Sequence, residues 1–260
     1  MEHSSRYIVM FAAAVCGVCS IIVSGAAVSL KDIQDRNKAL DVQRKVLDLA
    51  GIDEKALDDE TVEATYAERI EPRIIELVTG EYTDIDPTGW DQKKQMSDPA
   101  TSERVDDNPA RVRRMSENSV VYHVRGENDA VEAVILPVEG QGLWGRLLGY
   151  LAVRSDGETI QGLTFYQHKE TPGLGAEVDN PRWKALWTGR KIYDPNGAVA
   201  IRVKKGAAGP VETDPYQVDG LSGATITSRG VSGTLAFWLG DDAFGPYLSR
   251  LRAQGSGGGS

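Results

Sequence analysis

The strongest constraint on this chain lies near its start. From Tyr7 to Leu30 (YIVMFAAAVCGVCSIIVSGAAVSL) run 24 residues without a charge. As a helix this stretch would be about 36 Å long, enough to cross a hydrocarbon core of about 30 Å with some tilt. The competing reading is a secretory signal peptide, with Arg6 as its basic flank and a small-residue cleavage site near Ser24, Gly25 and Ala26. Such a peptide usually has an apolar core of about 7–15 residues. The longer stretch here leads us to expect an uncleaved anchor. Both readings export the remainder of the chain or hold it at a membrane. Charge orients the span poorly: Arg6 precedes it while Lys31, Arg36 and Lys38 come after it, a count that does not favour export of the C-terminal part. Ala13, Gly17, Ser20, Ser24, Gly25 and Ser29 form a run of small residues. It either admits a partner helix or reflects ordinary span composition. Cys16 and Cys19 make a C-x-x-C inside the span, where the aqueous strand-to-helix context of a redox pair is missing. Two small apolar residues in a helix is the plainer reading, and half of a shared intramembrane metal or cluster site is the alternative.

Composition narrows the rest. The 260 residues include 29 Lys plus Arg against 38 Asp plus Glu, a net charge of −9. An acidic chain is poorly suited to neutralising nucleic-acid phosphates. His3, His123 and His168 are its three histidines, too few for a multi-histidine metal centre, and two cysteines cannot build a disulfide framework.

Beyond the anchor (1–30) the pattern predicts a helical linker and polar excursion (31–118), a folded core (119–254) and a flexible appended segment, GSGGGS (255–260). Ala39, Val42, Val46 and Leu49 fall at helical spacing, and Gly51 is a natural stop. A second helical pattern covers 57–79, with Ala64, Ala67, Ile70, Ile74 and Leu77 on one face and a kink or break expected at Pro72. Residues 81–118 are polar and read as a long excursion or a weakly structured insertion. From Ser119 the period changes: 119–124, 130–138, 147–153, 159–168 and 198–204 read as strands, with GEND (126–129) and SDGE (155–158) as turns. Asn180 and Pro181 open a short helix. Val231, Leu235, Trp238 and Leu239 mark a core-packing helix over 225–239. The fold class expected is α+β: one N-terminal transmembrane helix, then a soluble mixed domain.

Three glycine-containing segments bear on chemistry. Gly140–Gly145 (GQGLWG) matches G-x-G-x-x-G, but no strand–turn–helix surrounds it, so the dinucleotide reading is rejected. It remains a hairpin loop with Trp144 either in the core or stacked on a ligand. His168–Gly175 (HKETPGLG) ends a strand. His168 and Glu170 alternate and could form a metal pair, yet no third ligand is in view. Asp219–Thr227 (DGLSGATIT) runs directly into the last helix pattern. Hydroxyls and small residues at a helix start suit an anion, because free N–H groups and the positive dipole end point there. A plain helix cap by Ser222, Thr225 or Thr227 is the alternative. A hydrolase nucleophile at Ser222 is disfavoured, since G-x-S-G is not the G-x-S-x-G elbow.

Taken together, the segments resemble a known family. Asp219-x-x-Ser222-Gly223-Ala224-Thr225 is similar to the flavinylation signature D-x-x-[ST]-G-A-[ST], and GQGLWG and ETPGLG are similar to the flavin-facing loops of FMN-binding domains. Residues 19–52 (CSIIVSGAAVSLKDIQDRNKALDVQRKVLDLAGI) resemble the C subunits of the Na+-translocating NADH:quinone reductases (Nqr). The resemblance implies FMN bound covalently through its phosphate to Thr225, with Ser222, Gly223 and Ala224 shaping the phosphate turn and Thr227 as a fallback anchor. It implies that Glu170, Thr171, Leu174 and Gly175 line the flavin and that Leu143 and Trp144 pack on or near its ring. It further implies a redox subunit of the inner membrane without a full catalytic cycle of its own. The other membrane subunits of the complex would be its partners, a flavin transferase would mature it, and its soluble domain would face the periplasm. The G subunit of the related Rnf complex and a non-catalytic anchored scaffold domain are the alternatives.

Overall fold

The apolar stretch forms helix α1 (Ser5–Ser29), whose side chains are all exposed and whose most apolar 18-residue window has a mean hydropathy of 2.4, long and apolar enough to cross a membrane. The computed structural model describes residues 5–53, 56–126 and 128–257, the side chains of 255–257 aside. His3, Glu127 of the expected GEND turn and residues 258–260 lie outside the described residues. The chain divides into an N-terminal unit, 1–43, and a second unit, 44–260. Helix α2 (Lys31–Leu49) begins in the first and ends in the second, where Val46, Leu47 and Leu49 are buried.

The second unit is built on a five-stranded antiparallel sheet. Helix α3 (Asp59–Arg69) starts at Asp58, whose carboxylate accepts from Thr61 N at 2.8 Å. It leads straight into β1 (Ile70–Glu76). The helix expected over 57–79 is therefore corrected: it ends at Arg69. Ile70 and Ile74 lie four apart, a spacing that suits either period. Pro72 settles the matter, since a residue without an N–H is tolerated on an edge strand and breaks a helix interior. The expected weak structure of 81–118 is also corrected. It holds α4 (Gln92–Ser97), and a small ladder pairs β2 (Ser102–Arg104) with β3 (Arg114–Ser116). Asn108 folds the loop between those two strands by donating to Val112 O and accepting from Val112 N.

Strands β4 (Asn118–Arg125), β5 (Val131–Gln141), β6 (Arg146–Arg154) and β7 (Ile160–Gln167) match the expected β-rich runs, and the sheet order is β1-β4-β5-β6-β7. Because β1 pairs with β4 along its length, the sheet reaches across the boundary expected at 118/119. Interior strand β6 is buried from Leu147 to Val153 on both faces. Tyr122, Tyr150 and Tyr166 pack in succession across one face, with ring centroids 6.0 and 5.0 Å apart. The other face carries the main core.

Helix α5 (Pro181–Ala185) is capped by Asn180, whose side chain accepts from Arg182 N. The strand expected over 198–204 shrinks to β8 (Arg202–Val203), which pairs in parallel with β9 (Gln217–Val218). Helix α6 (Thr225–Trp238) packs on β5 through Val231, Leu235 and Trp238, all buried, and Trp238 Nε1 donates to Glu139 O at 2.7 Å. Burying aliphatic side chains such as Val231 and Leu235 contributes about 1.5–3 kcal/mol each. The last helix, α7 (Gly245–Gly257), adds Tyr247 and Leu248 to the core beside Phe244, which precedes it, and extends into the segment expected to be an appended linker.

Candidate functional site

The β5–β6 hairpin places the first glycine segment. Gln141 pairs with Arg146, and Gly142 N donates to Gly145 O at 2.7 Å, so Leu143 and Trp144 form the tip. Trp144 is 64% exposed and Leu143 is 45% exposed, which corrects the reading that tucks Trp144 into the core.

The second segment leaves the end of β7. His168 does not face Glu170 as a metal pair would: its Nε2 lies 2.6 Å from Asp179 Oδ2, and its Nδ1 accepts the backbone N–H of Glu170 at 3.1 Å. That acceptor role at Nδ1 leaves the ring proton on Nε2, directed at Asp179. Leu174 and Ala176 both donate to Thr171 O, closing a tight turn in which Thr171, Pro172 and Gly173 are exposed. Leu174 is 43% exposed, whereas Gly175 and Glu170 are buried.

The third segment winds into α6. Asp219 fixes the entry, its carboxylate accepting from Ala208 N and its carbonyl from Trp183 Nε1, each at 2.8 Å. Ala224 N donates to Leu221 O, while Leu221 N donates to Ser228 Oγ. Gly223 holds a positive φ of 70°, and a Cβ there would come within 2.8 Å of Leu174 Cδ2, so this turn abuts the second segment. Helix α6 begins at Thr225 with Ala224 as its boundary residue, and among the described residues no side chain caps it. The cap expected from Ser222, Thr225 or Thr227 is therefore not formed. Ser222 and Thr225 are exposed, and Thr227 is buried and donates its hydroxyl to Glu170 Oε2.

Glu170 joins all three segments, because its other oxygen accepts from Trp144 N at 2.9 Å. The result is a helix start that no described side chain caps, with an exposed hydroxyl at Thr225. Beside it stand Leu143, Trp144 and Leu174, and Ile226 is a fourth exposed apolar neighbour, 51% open. Large exposed apolar side chains gathered beside open donors mark a ligand surface. Ile226 was missed in the sequence. Its signal is that it lies off the Val231–Leu235–Trp238 stripe that α6 buries. The His168–Asp179 pair left no sequence signal. An FMN fits these residues: its phosphate needs N–H donors and a hydroxyl, and its ring needs apolar walls.

The comparisons point the same way. The family model for the FMN-binding domain matches residues 142–240. The chain is 46% identical over 240 residues to the C subunit of the Na(+)-translocating NADH-quinone reductase of Vibrio vulnificus, covering 92% of each protein. It is 43% identical over 255 residues to the corresponding protein of Pseudomonas aeruginosa, covering 96% of this chain and 97% of that one. A crystal structure of NqrC from Shewanella oneidensis superposes with a TM-score of 0.77 at 32% identity, over 85% of this chain and 99% of that chain.

Proposed function

This chain belongs to the NqrC family, the C subunits of the Na+-translocating NADH:quinone reductases, and from that membership we propose that it is a membrane-anchored electron-transfer protein of the complex, carrying FMN esterified to Thr225. The observation that carries the reading is the open start of α6: an exposed Thr225 hydroxyl at a helix terminus that no described side chain caps, beside exposed Leu143, Trp144, Leu174 and Ile226.

When bound, FMN supplies the electron-transfer chemistry, and no acid–base pair or nucleophile of the chain is needed for turnover. The chain's own residues hold and shield the cofactor. The first N–H groups of α6 and its positive dipole end would stabilise a phosphate diester at Thr225. Ser222 and Gly223 shape the turn leading to it. Leu143, Trp144 and Leu174 provide apolar walls that limit water, while the open rim leaves a route for electrons. Thr227 does not serve as a second anchor in this reading, because its hydroxyl is buried and engaged by Glu170. Helix α1 would hold the unit at the bacterial inner membrane with the soluble part in the periplasm. There the other subunits of the complex exchange electrons with it, and a flavin transferase attaches the FMN.

The test is intact mass after co-production with a flavin transferase. The wild-type chain gains one FMN less one water, and Thr225→Val does not. Wild-type chain at the bare polypeptide mass refutes the proposal.

A further inference from the structure

Glu170 is only 6% exposed, so it is not part of the exposed rim, and among the described residues no basic side chain pairs with it. Its two oxygens are divided between two other segments. Oε1 accepts from Trp144 N in the β5–β6 tip at 2.9 Å, and Oε2 accepts from the Thr227 hydroxyl in the first turn of α6. Both oxygens thus act as acceptors, the role an ionised carboxylate fills. Its own N–H is held by His168, which is held in turn by Asp179. Two glycines flank this carboxylate closely, and Gly175 approaches its Oε2 as well as Thr227. A Cβ at Gly142 would lie 2.5 Å from Glu170 Oε1, and one at Gly175 would lie 2.6 Å from Thr227 Oγ1. Two glycines in different loops therefore converge on one carboxylate.

We propose that Glu170 is a positioning residue rather than a flavin contact: its buried carboxylate fastens the Trp144 tip and the start of α6 to the 168–175 loop, setting the gap that receives the flavin ring. This inference rests on the FMN reading for its purpose, though the fastening itself belongs to the polypeptide. A loop tip bearing a largely exposed tryptophan has little packing to hold it. The hydrogen bond from its backbone to a buried carboxylate, charge-assisted and sheltered from water, is what orders it. The same carboxylate draws Thr227 inward, which turns the neighbouring Thr225 hydroxyl outward along the first turn.

The proposal is tested with the full chain carrying Glu170→Ala or Glu170→Gln. The first measurement is hydrogen exchange at the Trp144 amide in flavin-free protein, prepared in the Thr225→Val background. Exchange should quicken at least tenfold with Ala. Gln should keep most of the protection, because its carbonyl oxygen can accept from Trp144 and its amide can donate to Thr227. The second measurement, with Thr225 present, is covalent FMN content and the visible circular dichroism of the bound flavin. Content should fall at least fivefold with Ala and return to within twofold of wild type with Gln, whose flavin should show the wild-type dichroism. Should Glu170→Ala fail to fold, the pair Thr227→Val and Thr227→Ser decides, with Val losing flavin content and Ser keeping it. Wild-type Trp144 exchange in Glu170→Ala overturns the proposal, as does equal flavin content in Ala and wild type, or in Thr227→Val and Thr227→Ser. A wild-type chain that takes up no FMN refutes the proposed function instead. The exchange measurement then still judges the fastening.

Discussion

Two polar clusters in the second unit are built from similar parts and end differently. In one, Asp179, His168, Glu170 and Thr227 link three loops. In the other, His123 Nε2 on β4 meets the Tyr247 hydroxyl of α7 at 2.9 Å and the Tyr82 hydroxyl at 3.1 Å, and the two tyrosine hydroxyls lie 3.3 Å apart. In the His123 cluster Nε2 and the two hydroxyls bond one another, with His123 and Tyr247 buried and Tyr82 half-exposed at the edge. The Glu170 cluster satisfies its side chains but leaves the helix start beside it open and apolar residues exposed around it. Buried polar groups that close on one another serve the fold. Those that hold a helix start uncapped by any described side chain suit the proposed ligand.

The largest effect that separates the two regions is on flavin attachment. Thr225→Val should abolish covalent flavin completely, read as fluorescence on a denaturing gel, while shifting the melting temperature by no more than about 2 °C because the residue is exposed. His123→Gln should do the reverse, keeping full flavin and lowering stability.

The next effect is a dependence on pH. Burial pushes His123 down to about 4 from 6.5; Glu71 opposes the shift, and Arg73 and Arg125 add to it. Between those values the unfolded chain binds a proton that the folded chain does not. Stability from this group is therefore complete above about pH 6.5 and falls as the pH drops toward 4, by up to about 3 kcal/mol. Denaturant midpoints of wild type and His123→Gln should converge across that window. Parallel curves would show that His123 does not titrate this way.

Smaller still is Tyr247→Phe, which leaves His123 with Tyr82 as its partner and should cost about 1–3 kcal/mol in denaturant unfolding with flavin content unchanged. Smallest for stability is Trp144→Ala, expected within about 0.5 kcal/mol of wild type since the side chain stands in solvent. Its signature belongs to the other region: the bound flavin should become more accessible to iodide quenching.

Much of the fold was readable from sequence where one period dominated. The uncharged run of α1, the β-branched runs of β4 to β7 and the Val231–Leu235–Trp238 stripe each admit a single regular structure. The reading failed where two periods coincide or where long-range pairing decides. Ile70 and Ile74 fit a helix face as well as a strand, and Pro72 together with the pairing to β4 makes them β1. The polar stretch that becomes β2 and β3 holds its shape through Asn108 and through Arg114, which donates to Ser102 Oγ at 2.8 Å, contacts that leave no hydrophobic pattern. At the site, the motif residues Thr225, Trp144 and Leu174 were visible as types in loops. That Glu170 and Thr227 are engaged with each other could not be seen, because they stand 57 positions apart.

The central claim is that the Thr225 hydroxyl bears the proposed cofactor. Fragmentation of the flavin-bearing peptide that spans Ser222, Thr225 and Thr227 tests it most directly. The expected result is the FMN mass on Thr225 alone. An adduct on Ser222 or Thr227, or flavin that washes away on denaturation, would contradict it.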